Sequence, residues 1–91
     1  MKEVVLMKVS KFGGSSLADS AQIRKVCDII LSDPDRRIIV VSAPGKRYDD
    51  DEKVTDLLIS AAQAALSGKD GKAEMGAVIA RFAEITDGLG I

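Results

Sequence analysis

The residues best suited to chemistry lie in two short loops. Lys11-Phe12-Gly13-Gly14-Ser15-Ser16 closes one β-rich run, and Ser42-Ala43-Pro44-Gly45 closes another. Paired glycines let backbone N–H groups approach an anion closely. Ser15 and Ser16 add hydroxyl donors, and the helix that follows turns its positive end toward the same place. Lys11, at the strand's end, could set a point charge against phosphates. A tight strand-to-helix turn beside a solvated lysine would use the same glycines, so Gly-Gly alone leaves both readings open. Gly45-Lys46 is not a Walker A loop, because Val40 stands where its first glycine belongs and Arg47 replaces the Ser or Thr. The Gly-x-Gly-x-x-Gly dinucleotide turn is not matched either.

Positioning these loops requires strands that end beside one another. Val4-Val5-Leu6-Met7-Lys8-Val9-Ser10-Lys11-Phe12 is β-rich and nearly continuous at first, as expected of a strand covered on both faces. Ile23, Val26, Cys27, Ile30 and Leu31 then follow the stripe of an amphipathic helix. Asp19 with Gln22 predicts a capping box at its start, with Ser16 as another candidate cap, and Asp33-Pro34 stops it. Ile38-Ile39-Val40-Val41 supplies a second strand. The order is that of a βαβ unit with parallel strands and a right-handed crossover. Ligands of open α/β sheets sit beyond the carboxyl ends of the strands, so both loops can face one ligand. Two more helical stripes follow: Val54, Leu57, Leu58, Ala61, Ala62, Ala65 and Leu66, then Met75, Val78, Ile79, Phe82 and Ile85. Two strands are few for a sheet that must be covered on both faces, so the chain reads as the opening of a larger domain.

Composition removes several classes of function. Ninety-one residues allow one domain at most, and such a chain buries only about 60–65% of its unfolded surface. Thirteen basic against fourteen acidic residues give a net charge of -1, which leaves no electrostatic footprint for nucleic acid. Three aromatic residues, Phe12, Tyr48 and Phe82, are too few for base-stacking platforms. With no histidine and one cysteine, the chain has no histidine base, internal disulfide or Cys-cluster zinc site. One unpaired thiol fits a reducing, cytoplasmic compartment. No stretch nears the roughly 18 apolar residues of a membrane span, and Met1-Lys2-Glu3 opens a poor signal peptide.

The whole string is more specific than its parts. Lys11-Phe12-Gly13-Gly14-Ser15-Ser16 resembles the N-terminal signature of aspartate kinases, within the amino acid kinase family. Val40-Val41-Ser42-Ala43-Pro44-Gly45 and Lys53-Val54-Thr55-Asp56-Leu57-Leu58 look like that family's second loop and helix. The resemblance spans roughly residues 4–66. It implies an α/β fold: the N-terminal βαβ portion of a three-layer, carbamate kinase-like domain, followed by two helices. On this reading residues 1–91 are an N-terminal part of the catalytic domain, inactive alone, with the remainder and the regulatory ACT domains outside it. It further implies phosphorylation of the L-aspartate side-chain carboxylate by ATP, opening the route to lysine, threonine and methionine. Mg2+ would arrive mainly on the nucleotide, and the full-length protein would be a homo-oligomer. By residue, Lys11 matches the lysine that stabilises the transferring phosphoryl group. Gly13 and Gly14 match the backbone donors to phosphate, with Ser15 and Ser16 as the next hydroxyl positions. Ser42 matches a serine near substrate and phosphoryl group, and Thr55 a threonine that contacts the amino acid. Another acid acceptor, such as glutamate, and a non-catalytic phosphate-binding or assembly module are the rival readings.

The remaining features have plainer expectations. Asp49-Asp50-Asp51-Glu52, flanked by Lys46, Arg47 and Lys53, reads as a solvated, mobile loop rather than a magnesium site, and as a possible lid. Cys27 reads as buried filler and Lys8 as structural. Met75, Val78 and Phe82 read as core, or else as an exposed apolar face that drives self-association.

Overall fold

The last part of the first apolar run and most of the β-branched second run form strands, and they pair in parallel. The computed structural model of the chain describes residues 6–91. β1 spans Lys8–Lys11 and β2 spans Arg36–Val40, with Val9 opposite Ile38, Ser10 opposite Ile39 and Lys11 opposite Val40. The Phe12 N–H continues the ladder to the Val40 carbonyl at 2.9 Å. Val4 and Val5 of the expected first strand lie outside the described residues. Between the strands come a 3-10 turn over Gly14–Leu17 and helix α1 over Ser20–Leu31. Helices α2, Val54–Leu66, and α3, Lys72–Leu89, complete the order.

Local chemistry sets the ends of α1. Asp19 caps it, its side chain accepting the Gln22 N–H at 2.9 Å, as the Asp19–Gln22 spacing predicts. At the other end Arg36 donates to the Ile29 carbonyl at 2.7 Å, a cation at the negative end of the helix. Lys8 pairs with Asp33 across the start of the sheet and holds that carboxyl below its usual range, a structural role. Gly68 and Gly71 take left-handed backbone (φ 88° and 71°) to turn α2 into α3. Arg24 of α1 donates to the Gly88 carbonyl at 2.9 Å, tying the start of α1 to the end of α3.

The core is small and lies where the 3-10 turn and the three helices meet. Leu17, Ala18, Val26, Val54, Ala61, Ala64, Val78 and Ile85 are buried there, and Val54 is only 1% exposed. Several expected core positions lie elsewhere. Met75, Ile79 and Phe82 are exposed, because α3 turns its Val78–Arg81–Ile85 stripe inward instead. In α2, Leu58 and Leu66 are exposed, while the small side chains of Ala61 and Ala64 admit the neighbouring helix closely. Cys27 is exposed rather than buried, since Val26 beside it takes the packed position on α1.

The strands also depart from expectation. Val9 is 62% and Val41 59% exposed, so the sheet is not covered on both faces by the described residues. The principal extents are 66 × 26 × 25 Å and the radius of gyration is 17.3 Å. A compact chain of this length would have a radius of roughly 12 Å. No helix among the described residues is long and apolar enough to cross a membrane.

The α1–α3 junction leaves no room beside Gly88. A methyl group there would sit 2.3 Å from Ser20 Oγ and 2.7 Å from its Cβ. Gly88→Ala is expected to cost about 1–3 kcal/mol through overpacking. Thermal denaturation should show the loss, and Ser20→Gly in the same chain should recover most of it.

Candidate functional site

Parallel pairing of β1 with β2 brings loops 12–19 and 41–53 to the same end of the sheet. Their glycines then lock together. The Gly45 N–H donates to the Gly14 carbonyl at 2.8 Å. A Cβ on Gly45 would lie 2.7 Å from the Gly14 carbonyl carbon and 2.9 Å from Ser15 N. One on Gly14 would lie 3.0 Å from the Ala43 carbonyl oxygen. Neither glycine has a positive φ, so close backbone approach is what demands them.

The second loop also starts α2. The Pro44 carbonyl accepts the Val54 N–H at 3.0 Å, satisfying one of the helix's first donors. Lys53 occupies the cap position with no side-chain hydrogen bond, a cation at the positive end of a helix. Against helix energetics alone that is a poor choice. It does keep a second positive charge beside the loops.

An open groove of about 500 Å3 results, lined by Gly14, Ser15, Ser42, Ala43, Pro44, Gly45, Lys46, Lys53 and Thr55. The fold thus gathers four of the sequence-derived site residues: Gly14, Ser15, Ser42 and Thr55. Lys11 ends β1 and Gly13 precedes the 3-10 turn, both exposed and outside this lining. Ser16 is half-buried, and its N–H donates to the Gly13 carbonyl at 3.1 Å. Two lysines, three hydroxyls and the free N–H end of a 3-10 turn face the groove or its rim, and the lining contains no carboxylate. That donor set fits an anion such as a nucleotide phosphate, whose own charge would bring any Mg2+ with it.

Behind the second loop lies a charged network. Arg47 donates from Nε to one Asp51 oxygen at 2.7 Å and from Nη2 to the other at 3.0 Å, and its N–H joins them at 2.9 Å. Arg47 also reaches Glu84 of α3 at 2.8 Å. The hydrogen bonds from Arg47 hold the Asp51 carboxyl well below the usual carboxylate range, and Asp51 raises Arg47 in return. With its side chain 7% exposed, Asp51 does not belong to a solvated loop. The run of carboxylates is divided: Asp51 is fixed inward by guanidinium groups, while Asp49 and Asp50 face solvent.

Arg81, which sequence reasoning missed, completes the network from α3. Nη1 donates to the Glu52 carbonyl at 2.8 Å and to Asp51 at 3.3 Å. Nη2 donates to the Gly45 carbonyl at 2.7 Å and to that of Ala18 at 3.2 Å. The signal was present, since Arg81 falls three residues after Val78 and four before Ile85, on an apolar stripe. A smaller cavity of about 360 Å3 is lined by Arg47, Asp51, Arg81 and Glu84 of this network together with Tyr48, Asp50, Glu52, Leu57, Ala77 and Ala80.

Comparison with known proteins identifies the family and the fold. The model of the amino acid kinase family matches residues 7–87. The chain is similar to aspartokinase 3 of Bacillus subtilis (strain 168), 53% identical over 83 residues, covering 91% of this chain and 18% of that protein. It is similar in structure to the aspartate kinase of Clostridium acetobutylicum, with a TM-score of 0.88 and 46% identity over 91% of this chain and 19% of that one. The crystal structure of E. coli aspartokinase III in complex with aspartate and ADP gives a TM-score of 0.71 and 31% identity. That match covers 89% of this chain and 16% of the E. coli chain. The chain therefore spans less than a fifth of the length of these relatives.

Two stability measurements test the site's framework. Gly45→Ala is expected to cost about 2–3 kcal/mol, because the contacting atoms are backbone and the loops must part. Gly13→Ala, with φ −77° and open space around its Cβ, should stay within about 0.5 kcal/mol of the parent. Asp51 has a pKa lowered from an ordinary 3.8, so its contribution is full at neutral pH and is lost as pH falls through the folded value. Asp51→Asn should therefore be less stable than the parent at pH 7. In urea unfolding, that difference should shrink steadily below about pH 4.

Proposed function

The chain belongs to the amino acid kinase family, and from that premise we propose that it forms the N-terminal part of a catalytic domain phosphorylating L-aspartate. The γ-phosphoryl group of ATP passes to the side-chain carboxylate, giving 4-phospho-L-aspartate and ADP. The observation that carries this reading is the seam between Gly14 and Gly45, which joins the loop after β1 to the loop after β2 in one groove. Similarity to an aspartokinase solved with aspartate and ADP supports aspartate and an adenine nucleotide as the ligands. Turnover belongs to the complete encoded protein, because this chain spans so small a share of its relatives.

Phosphoryl transfer requires alignment and charge neutralisation more than covalent help. Lys11 neutralises charge on the moving phosphoryl group. Gly13 and Gly14 offer backbone N–H groups to the phosphates, with Ser15 and Ser16 supplying hydroxyls beside them. Ser42 and Thr55 hold the acid, and Mg2+ travels with the nucleotide. A cytoplasmic setting agrees with a lone thiol, and the homo-oligomer is carried over from the resemblance.

Hydroxylamine traps an acyl phosphate as a hydroxamate, which gives a direct assay. The complete protein with Mg-ATP should form hydroxamate with L-aspartate and much less with L-glutamate. Lys11→Met should lower kcat by about 10²–10³-fold, the scale of losing one group that stabilises transition-state charge. A preference for glutamate would reassign the acceptor. Nucleotide binding with no hydroxamate from any acid would make the chain part of a binding module.

A further inference from the structure

Arg81 lies outside every motif that points to chemistry, yet it joins all of them. The residue is 4% exposed and donates to three carbonyl oxygens and one carboxylate. Ala18 follows the 3-10 turn that carries Gly14 and Ser15. Gly45 is the residue seated on Gly14. Glu52 directly precedes Lys53, Val54 and Thr55. One planar group therefore spaces the phosphate-side loop, the acid-side loop and the start of α2.

Peptide planarity adds a second consequence. In a trans peptide the N–H points opposite to the C=O, and the described residues include no cis bond. Drawing the Gly45 and Glu52 carbonyls toward α3 turns the Lys46 and Lys53 N–H groups away from it. Both lysines line the groove.

Simple core filling does not account for this choice. Arg81 Nε is buried and has no hydrogen-bond partner among the described residues. A buried donor without a partner is costly, and apolar residues often replace buried charge without loss of stability. A lysine would bring one compact ammonium where the guanidinium fork reaches four acceptors on three segments.

We propose that Arg81 is a positioning residue for phosphoryl transfer, which fixes the spacing of the three substrate-facing segments from behind. The proposal rests on the kinase reading above and extends it to a residue that touches no substrate. Its loss misaligns the reacting groups while leaving the nucleotide able to bind.

The test uses Arg81→Lys and Arg81→Met in the complete encoded protein, assayed well below each variant's melting temperature. Arg81→Met keeps an apolar side chain on the stripe, and Arg81→Lys carries the test should that variant not fold. In both, kcat should fall about 10- to 100-fold, as for a small misplacement of reacting groups. KM for Mg-ATP should stay within about threefold. Hydrogen exchange should accelerate at the Gly45 and Val54 amides, which bond to Gly14 and Pro44. A purely structural role would lower the melting temperature and leave kcat intact in the folded variants. That result would overturn the proposal, as would full kcat in Arg81→Lys. If the parent phosphorylates neither aspartate nor glutamate, the kinase reading fails on its own, and exchange still decides the positioning. Unchanged exchange at both amides would then overturn it.

Discussion

A guanidinium group taken out of water must find acceptors, and that demand organises this molecule. Arg81 meets it at both Nη atoms, with the carbonyls of Ala18, Gly45 and Glu52 and one oxygen of Asp51. Those acceptors come from chain segments that precede Arg81 by 29 to 63 positions, so satisfying the cation closes the tertiary structure. Because α3 must present Arg81 inward, Val78 and Ile85 are buried with it while Met75, Ile79 and Phe82 remain outside. Asp51 is drawn inward by the same charge and in turn holds Arg47, which reaches Glu84 on α3. Loop 46–53 is therefore organised by paired charges.

The groove depends on backbone as much as on side chains. Gly14 and Gly45 touch without intervening Cβ atoms, and Pro44 lends its carbonyl to the first N–H of α2. Such contacts resist small displacements, because the nearest atoms belong to the main chain. The lining offers lysines and hydroxyls without a carboxylate, which suits an anion held by fixed donors. Phosphoryl transfer draws mainly on alignment and charge neutralisation, so the proposed reaction asks for no histidine from this part of the protein.

Apolar surface remains unpaired on the sheet and on the outer face of α3. Val9, Ile38 and Val40 of the strands and Val41 just after β2 are open to solvent, and Met75, Ile79 and Phe82 continue the pattern on α3. The buried set is mostly small residues, and the shape is long for the chain length. The Clostridium acetobutylicum aspartate kinase, of whose chain this one covers 19%, shares the fold with a TM-score of 0.88. In the proposed complete domain, the exposed strand and helix faces are the natural places for further layers to pack.

Much of this was legible in the residues alone, for local reasons. β-Branched runs stiffen an extended chain, Asp19 caps the helix that follows it, and Pro34 ends that helix within a few residues. These effects act over one to five positions, so the βαβ order and the helix limits could be read directly. The loop signature also led to Gly14, Ser15, Ser42 and Thr55, which do converge. The stripes of α2 and α3 named Val54, Ala61, Val78 and Ile85, which are buried, but not which of their apolar neighbours would stay outside, because both helices carry apolar residues on more than one side. The exposure of Cys27 and the burial of Asp51 were equally hidden. Those outcomes depend on partners distant in sequence: a cation on α3 seeking carbonyls on two loops, and glycines close enough to touch. Local propensity sets what each segment becomes. Only the folded chain could decide which polar groups had to meet, because burial makes an unpaired charge costly only once the segments have come together.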